Sequence, residues 1–105
     1  MEIPAGIRPD DRVLLLGIPE AAVVEAIARS LSRGLLVAIG EDDAVRSARK
    51  AARDLDNVLF VPGAPDELPW RDGFFTVVID TAGKWPDPDK VRREIARVTA
   101  AGGEA

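Results

Sequence analysis

Cysteine and histidine are both missing from this chain. Without cysteine there is neither a disulfide nor a thiol nucleophile. Without histidine the commonest general base and the usual zinc ligand are gone. A metal would have carboxylates alone to hold it, as Mg²⁺ or Ca²⁺ would. Positive charge is in deficit: the net charge is −4, against the basic footprint of nucleic-acid binding. The arginines within 46–53 and 92–97 sit at helical spacing among acids and alanines and read as solvated helix faces. No apolar run approaches the ~20 residues of a membrane span. The first residues, M-E-I-P-A-G, lack the basic region and apolar stretch of a signal peptide. The expected location is the cytoplasm, with no membrane or nucleic-acid partner.

What is present suits one globular domain over residues 1–105, at 47% hydrophobic and 30% charged. A chain this size buries roughly 65% of its extended surface, enough for one modest core. Residues 13–16 form a short apolar run closed by Gly17, as in a strand buried on both faces. From Pro19 to Arg33, Val23, Val24, Ile27 and Leu31 recur at helical spacing. Pro19 suits the first helical position and Gly34 the C′ position. Residues 35–39 read as a second strand. Asp42 or Asp43 can cap a helix running to about Asp54, with Val45, Ala48, Ala52 and Leu55 inward. Residues 57–61 read as a third strand and 74–79 as a fourth, the most apolar. Asp87-Pro88 opens a last helix with Val91, Ile95 and Val98 inward, ended by Gly102-Gly103. Buried strands alternating with amphipathic helices predict an α/β domain of three layers, with a parallel sheet and right-handed crossovers.

The stretch over 13–21 reads V-L-L-L-G-I-P-E-A, and that over 57–80 reads N-V-L-F-V-P-G-A-P-D-E-L-P-W-R-D-G-F-F-T-V-V-I-D. With the ending R-E-I-A-R-V-T-A-A-G-G, these resemble the first two-thirds of a class I S-adenosylmethionine-dependent methyltransferase. The resemblance implies a Rossmann-like sheet of order 3-2-1-4, lacking the family's last three strands. It implies S-adenosylmethionine as cofactor, with Gly17, Ile18, Glu41, Asp42, Gly63, Ala64 and Asp80 at the matching positions. No residue of the sequence is singled out as catalytic or metal-ligating. The pattern is degenerate. Leu15 stands where the family carries an acid, and Gly17-Ile18-Pro19-Glu20-Ala21 stands for G-x-G-x-G. Ala64 follows Gly63 where an acid meets the adenine amino group. Glu41 is the candidate for the ribose hydroxyls, although an ungapped reading puts Gly40 there.

Side chains at Pro19 and Ala21 are expected to fill space that glycines leave to a ligand. Pro19 removes an N–H, and Glu20 in the first helical turn would satisfy the dipole and repel a carboxylate or phosphate. No G-x-G-x-x-G is present, so a dinucleotide site has no support. The plain alternatives are structural: Leu15 as core, Glu41, Asp42 and Asp43 as helix caps, and Asp80 as a turn acid. Trp70 and Trp85 read as rim of the core. The sequence alone favours a methyltransferase-like domain that has lost catalysis and works as an interaction or scaffold module. The alternative is a methyltransferase whose site a second chain completes. The strand over 74–79, from Phe74 to Ile79, is expected to be an open apolar edge that pairs two copies into a homodimer.

Overall fold

The apolar run after Arg12 becomes the middle strand of a sheet and is covered on both faces. The computed structural model describes residues 7–81 and 85–104. Its elements are β1 (Arg12–Leu16), α1 (Ala21–Ser30), β2 (Leu35–Gly40), α2 (Asp42–Ala51), β3 (Val58–Pro62), β4 (Phe75–Asp80), α3 (Pro88–Val98) and β5 (Thr99–Glu104). The five strands pair in the order β3-β2-β1-β4-β5, all parallel. Side chains alternate between two cores. Val13, Leu15, Leu36 and Ala38 join Val24 and Ile27 of α1 and Val45 of α2 on one face. Leu14, Leu16, Val37 and Ile39 join Val91 and Val98 of α3 on the other, where Leu68 and Phe75 close the layer. The predicted apolar stripes of the helices are therefore the buried ones.

The end of the chain departs from expectation. The sequence predicts a helix up to Gly102-Gly103 and an open fourth strand. Instead α3 stops at Val98, Thr99 turns extended (φ −84°, ψ 129°), and β5 lies parallel on β4. The sheet order is thus 3-2-1-4-5, and β4 is an interior strand. T-A-A-G-G-E has almost no strand propensity of its own, and its conformation comes from the partner strand beside it. The homodimer expectation rested on an open β4, so it loses that premise.

Helix starts differ as well. α1 begins at Ala21 with Glu20 as N-cap, so Pro19 lies outside the helix. α2 is preceded by Glu41, which makes no side-chain cap hydrogen bond. Asp42 and Asp43 sit in its first turn, where their charges favour the dipole. α3 starts as predicted: Asp87 accepts the Lys90 N–H at 3.1 Å, and Pro88 occupies the first turn. Gly34 is not a left-handed C′ residue; among the described glycines, positive φ occurs at Gly17 (106°) and Gly73 (69°). Gly34 is small because the turn before β1 crosses it: an added Cβ would stand 2.2 Å from the Asp11 carbonyl oxygen.

β3 is an outer strand with a protected margin. Leu36 N–H donates to Asn57 O and Gly63 N–H to Gly40 O, so residues 57 and 63 face β2. By alternation, Val58, Phe60 and Pro62 turn their main-chain groups outward. Arg49 of α2 donates to the Phe60 carbonyl at 2.9 Å, and Pro62 has no N–H to offer.

Arg97 is no solvated charge either. It donates to the carbonyls of Leu68 and Trp70, to Asp72 and to Glu94. Glu94 in turn accepts the Leu68 N–H at 2.8 Å. This clamp fastens the β3–β4 loop to α3. The Arg97 hydrogen bond, helped by that of Leu68, holds the Glu94 carboxyl below its ordinary value of 4.5. A lowered folded-state pKa stabilises above the unfolded value and is lost as pH falls through the folded one. Glu94→Gln should therefore cost roughly 1 kcal/mol at neutral pH, the gap between a charged and a neutral hydrogen bond. Urea melts at descending pH should show variant and parent converging below about pH 4.5. A difference that stays constant down to pH 3 would assign the cost to packing instead.

Candidate functional site

In parallel α/β sheets ligands bind beyond the carboxyl ends of the strands. Here that edge carries a cleft of about 380 Å³. Gly17 and Ile18 line it at the end of β1, and Gly40 and Glu41 at the end of β2. Gly63, Ala64, Pro65 and Asp66 form the wall after β3; Trp85, Pro86, Asp87 and Val91 form the wall before and within α3.

Gly17 turns the chain out of β1 with φ 106°, a conformation costly to any residue with a Cβ. Its N–H donates to Ile39 O at 2.9 Å, tying the turn to β2. Ile18 then lies over Gly40, where an added Cβ would meet Ile18 Cδ1 at 3.0 Å. Gly63 has open space before it, with nothing within 4 Å of a built Cβ.

Of the residues singled out from the sequence, Gly17, Ile18, Glu41, Gly63 and Ala64 converge on this cleft, and Asp42 and Asp80 do not line it. Leu15 is fully buried in the core. Among the described residues, those expected to obstruct a ligand do not line the cleft. Pro19 and Ala21 line a separate groove of about 210 Å³ between α1 and α2, against Ala48, Ala52 and Phe60. Glu20 is exposed at the N-cap and lies outside the cleft wall. Because α1 begins after Pro19, the missing proline N–H is not one of the helix's own donors.

Asp80 closes β4, and its Oδ2 accepts the Trp85 indole N–H at 3.0 Å. Thr81 donates both its N–H and its hydroxyl to Leu16 O, at 3.1 and 2.9 Å, which lays the chain after β4 across the end of β1. Trp70 packs edge-to-face on Phe75 with centroids 5.2 Å apart, at the core rim as predicted. Trp85 packs against the same core but also forms part of the cleft.

Sequence reasoning missed Asp66 and Asp87 as cleft residues. Asp66 is half-buried two positions after Ala64, so the β3 loop still carries an acid in the wall. The Pro65-Asp66 pair was the available signal, since buried Pro65 fixes the turn that brings the acid in. The charged residues of the wall, among those described, are Glu41, Asp66 and Asp87. No arginine or lysine stands among the described residues of the wall, whose carboxylates suit hydroxyl, amino or cationic groups. Among the described residues no cluster of three carboxylates gathers to hold a metal, and no helix is long and apolar enough to cross a membrane.

A family model described as Methyltransferase domain matches residues 14–105. Among solved structures, the YcgJ protein of Bacillus subtilis is 26% identical over 94% of this chain and 44% of that one, with a TM-score of 0.83. A SAM-dependent methyltransferase from Aquifex aeolicus is 20% identical over 90% of this chain and 54% of its own, at 0.83. A geranyl diphosphate C-methyltransferase from Streptomyces coelicolor, solved with S-adenosyl-L-homocysteine, is 17% identical over 94% and 39%, at 0.82. The latter two likenesses establish the fold alone. The chain spans about half or less of the length of these structures. No curated protein sequence matches it.

Proposed function

The chain belongs to the methyltransferase domain family, and on that premise we propose that its cleft binds S-adenosylmethionine. The observation that carries the reading is that the cleft stays open at the carboxyl edge, while the residues that replace the family's glycines face elsewhere. The residues present fit the group. Glu41 is not engaged in capping its helix, and its carboxylate is there to accept ribose hydroxyls. Ile18, Ala64 and Pro65 give apolar walls to an adenine, and Asp66 gives an acceptor for an amino group. Gly17 lets the main chain approach without a side chain in between. When bound, S-adenosylmethionine supplies an electrophilic methyl group on a sulfonium. The chain's own contribution is to bind and orient, which suits a reaction that depends on positioning more than on a base.

Calorimetric titration with S-adenosylmethionine and with its demethylated product tests the proposal, and micromolar binding is the expected result. Glu41→Ala should weaken it about tenfold or more, the worth of a charged hydrogen bond, without moving the melting temperature. The double change Pro19→Gly/Glu20→Thr should leave affinity within about twofold, because neither residue lines the cleft. A large gain in affinity from that double change would mean that the degenerate loop does obstruct the site. A second reading, a non-catalytic scaffold, is favoured by buried Leu15 and by Ala64 where the family has acids. No heat at millimolar ligand from folded protein would select it.

A further inference from the structure

Building on the cofactor reading above, we infer that Arg97 is a positioning residue of the cleft: it bolts the wall after β3 to the wall on α3, so that the site stands preformed before a ligand arrives. Residues 63–74 join β3 to β4 without helix or strand of their own. The first part of that loop, Gly63 to Asp66, is cleft wall. The second part is held by one side chain. A guanidinium has five N–H donors in a fixed fork, and Arg97 uses all of them. Nε donates to Glu94 Oε2 at 2.8 Å. Nη1 donates to Trp70 O at 2.8 Å and to Asp72 Oδ1 at 2.9 Å. Nη2 donates to Leu68 O at 2.8 Å and to Glu94 Oε1 at 3.1 Å.

Both sides of this clamp reach the cleft. Glu94 Oε1 also accepts Leu68 N–H at 2.8 Å, so Leu68 is gripped at both its main-chain groups, two positions after Asp66. The Leu68 side chain is buried in the same core as Val91. Val91, Glu94 and Arg97 follow at intervals of three along one side of α3, and Val91 is cleft wall. The loop is tied again at its far end, where Gly73 N–H donates to Arg97 O at 2.9 Å. A loop of this length, left to itself, would have to be ordered each time a ligand bound, at the expense of affinity. The clamp places that ordering in the folding step instead. Lysine is no substitute, because an ammonium has three donors and no fork to span two carbonyls and two carboxylates.

Arg97→Lys tests this, because it keeps the charge and removes the fork. Calorimetry should show S-adenosylmethionine and its demethylated product both bound about tenfold more weakly, the worth of re-ordering about one residue of main chain. Ile27→Val is the control for stability alone. It thins the core on the opposite face of the sheet, touches neither wall, and should leave affinity within about twofold. Hydrogen exchange separates positioning from packing. The Leu68 amide should exchange slowly in the parent with or without ligand. In Arg97→Lys it should exchange about tenfold faster when free and return to the parental rate at saturation. If Arg97→Lys fails to fold, Glu94→Gln decides, with an expected loss of about threefold in affinity and the same ligand-dependent protection of Leu68. Affinity within about twofold of the parent in the folded variant, or an equal loss in Ile27→Val, would overturn the role of Arg97 while the cofactor reading stands. A parent chain that binds neither ligand would overturn both.

Discussion

Leu15→Glu is expected to leave no cooperatively folded protein at neutral pH. The change restores the acid that the family carries at this position, so it looks like a repair. The structure makes it the opposite. Leu15 is fully buried on the middle strand, in register with Ala38 of β2 and Ile79 of β4. Val24, Ile27 and Val45 complete its surroundings, all of them apolar. Removing the leucine forfeits about 2–3 kcal/mol of apolar burial. Placing a carboxyl there without a partner adds several more, whether it ionises or stays protonated at the expense of a raised pKa. A domain of this size has on the order of 5–15 kcal/mol in total. Circular dichroism and a thermal melt decide the matter, with Leu15→Met as the volume-conserving control expected to cost under about 1.5 kcal/mol. A glutamate variant melting within a few degrees of the parent would show that the position has access to the cleft after all.

Gly34→Ala should be the second most damaging single change, at roughly 3 kcal/mol and a fall in melting temperature on the order of 10 °C or more. The reason is crowding against main chain, not backbone conformation. The new methyl would lie 2.2 Å from the Asp11 carbonyl oxygen and 3.1 Å from that of Pro9. Both carbonyls are occupied, accepting from Leu35 N–H at 3.1 Å and Arg33 N–H at 2.9 Å. Asp11 is held further by Arg8 N–H at 2.7 Å and by the Thr76 hydroxyl at 2.9 Å, so the turn has nowhere to retreat. Asparagine separates the two explanations. It tolerates the left-handed conformation and would rescue a C′ glycine. At a crossing point it should be at least as harmful as alanine, and a Gly34→Asn variant of near-parental stability would restore the capping explanation.

The pattern of apolar residues reported burial well. Residues 13–16 and 35–39 read as two-sided strands because helices cover both faces, and the stripes of the three helices point where their spacing says. Periodicity did not report partnership. Residues 99–103 carry small side chains with no apolar rhythm, and only β4 beside them makes 99–104 a strand. Arg49 and Arg97 sit in runs that look solvated, yet each reaches a carbonyl far along the chain. At the cleft, residue types at family positions pointed to Gly17, Glu41 and Gly63, and all three line it. They pointed to Pro19 and Ala21 as well, which line a separate groove after the left-handed turn at Gly17. Asp66 escaped notice because its place depends on how buried Pro65 bends the loop.

The protected margin of β3 bears on how copies of this chain meet. An open-ended filament needs two unlike adhesive ends that fit each other by translation, so that each added copy presents the next docking site. A sheet of parallel strands is poised for that, since its two margins differ. Here one margin is blunt: the guanidinium of Arg49 occupies the Phe60 carbonyl, and Pro62 contributes no donor. Head-to-tail pairing through β3 would therefore lose the ladder hydrogen bonds of the Phe60 carbonyl and of residue 62.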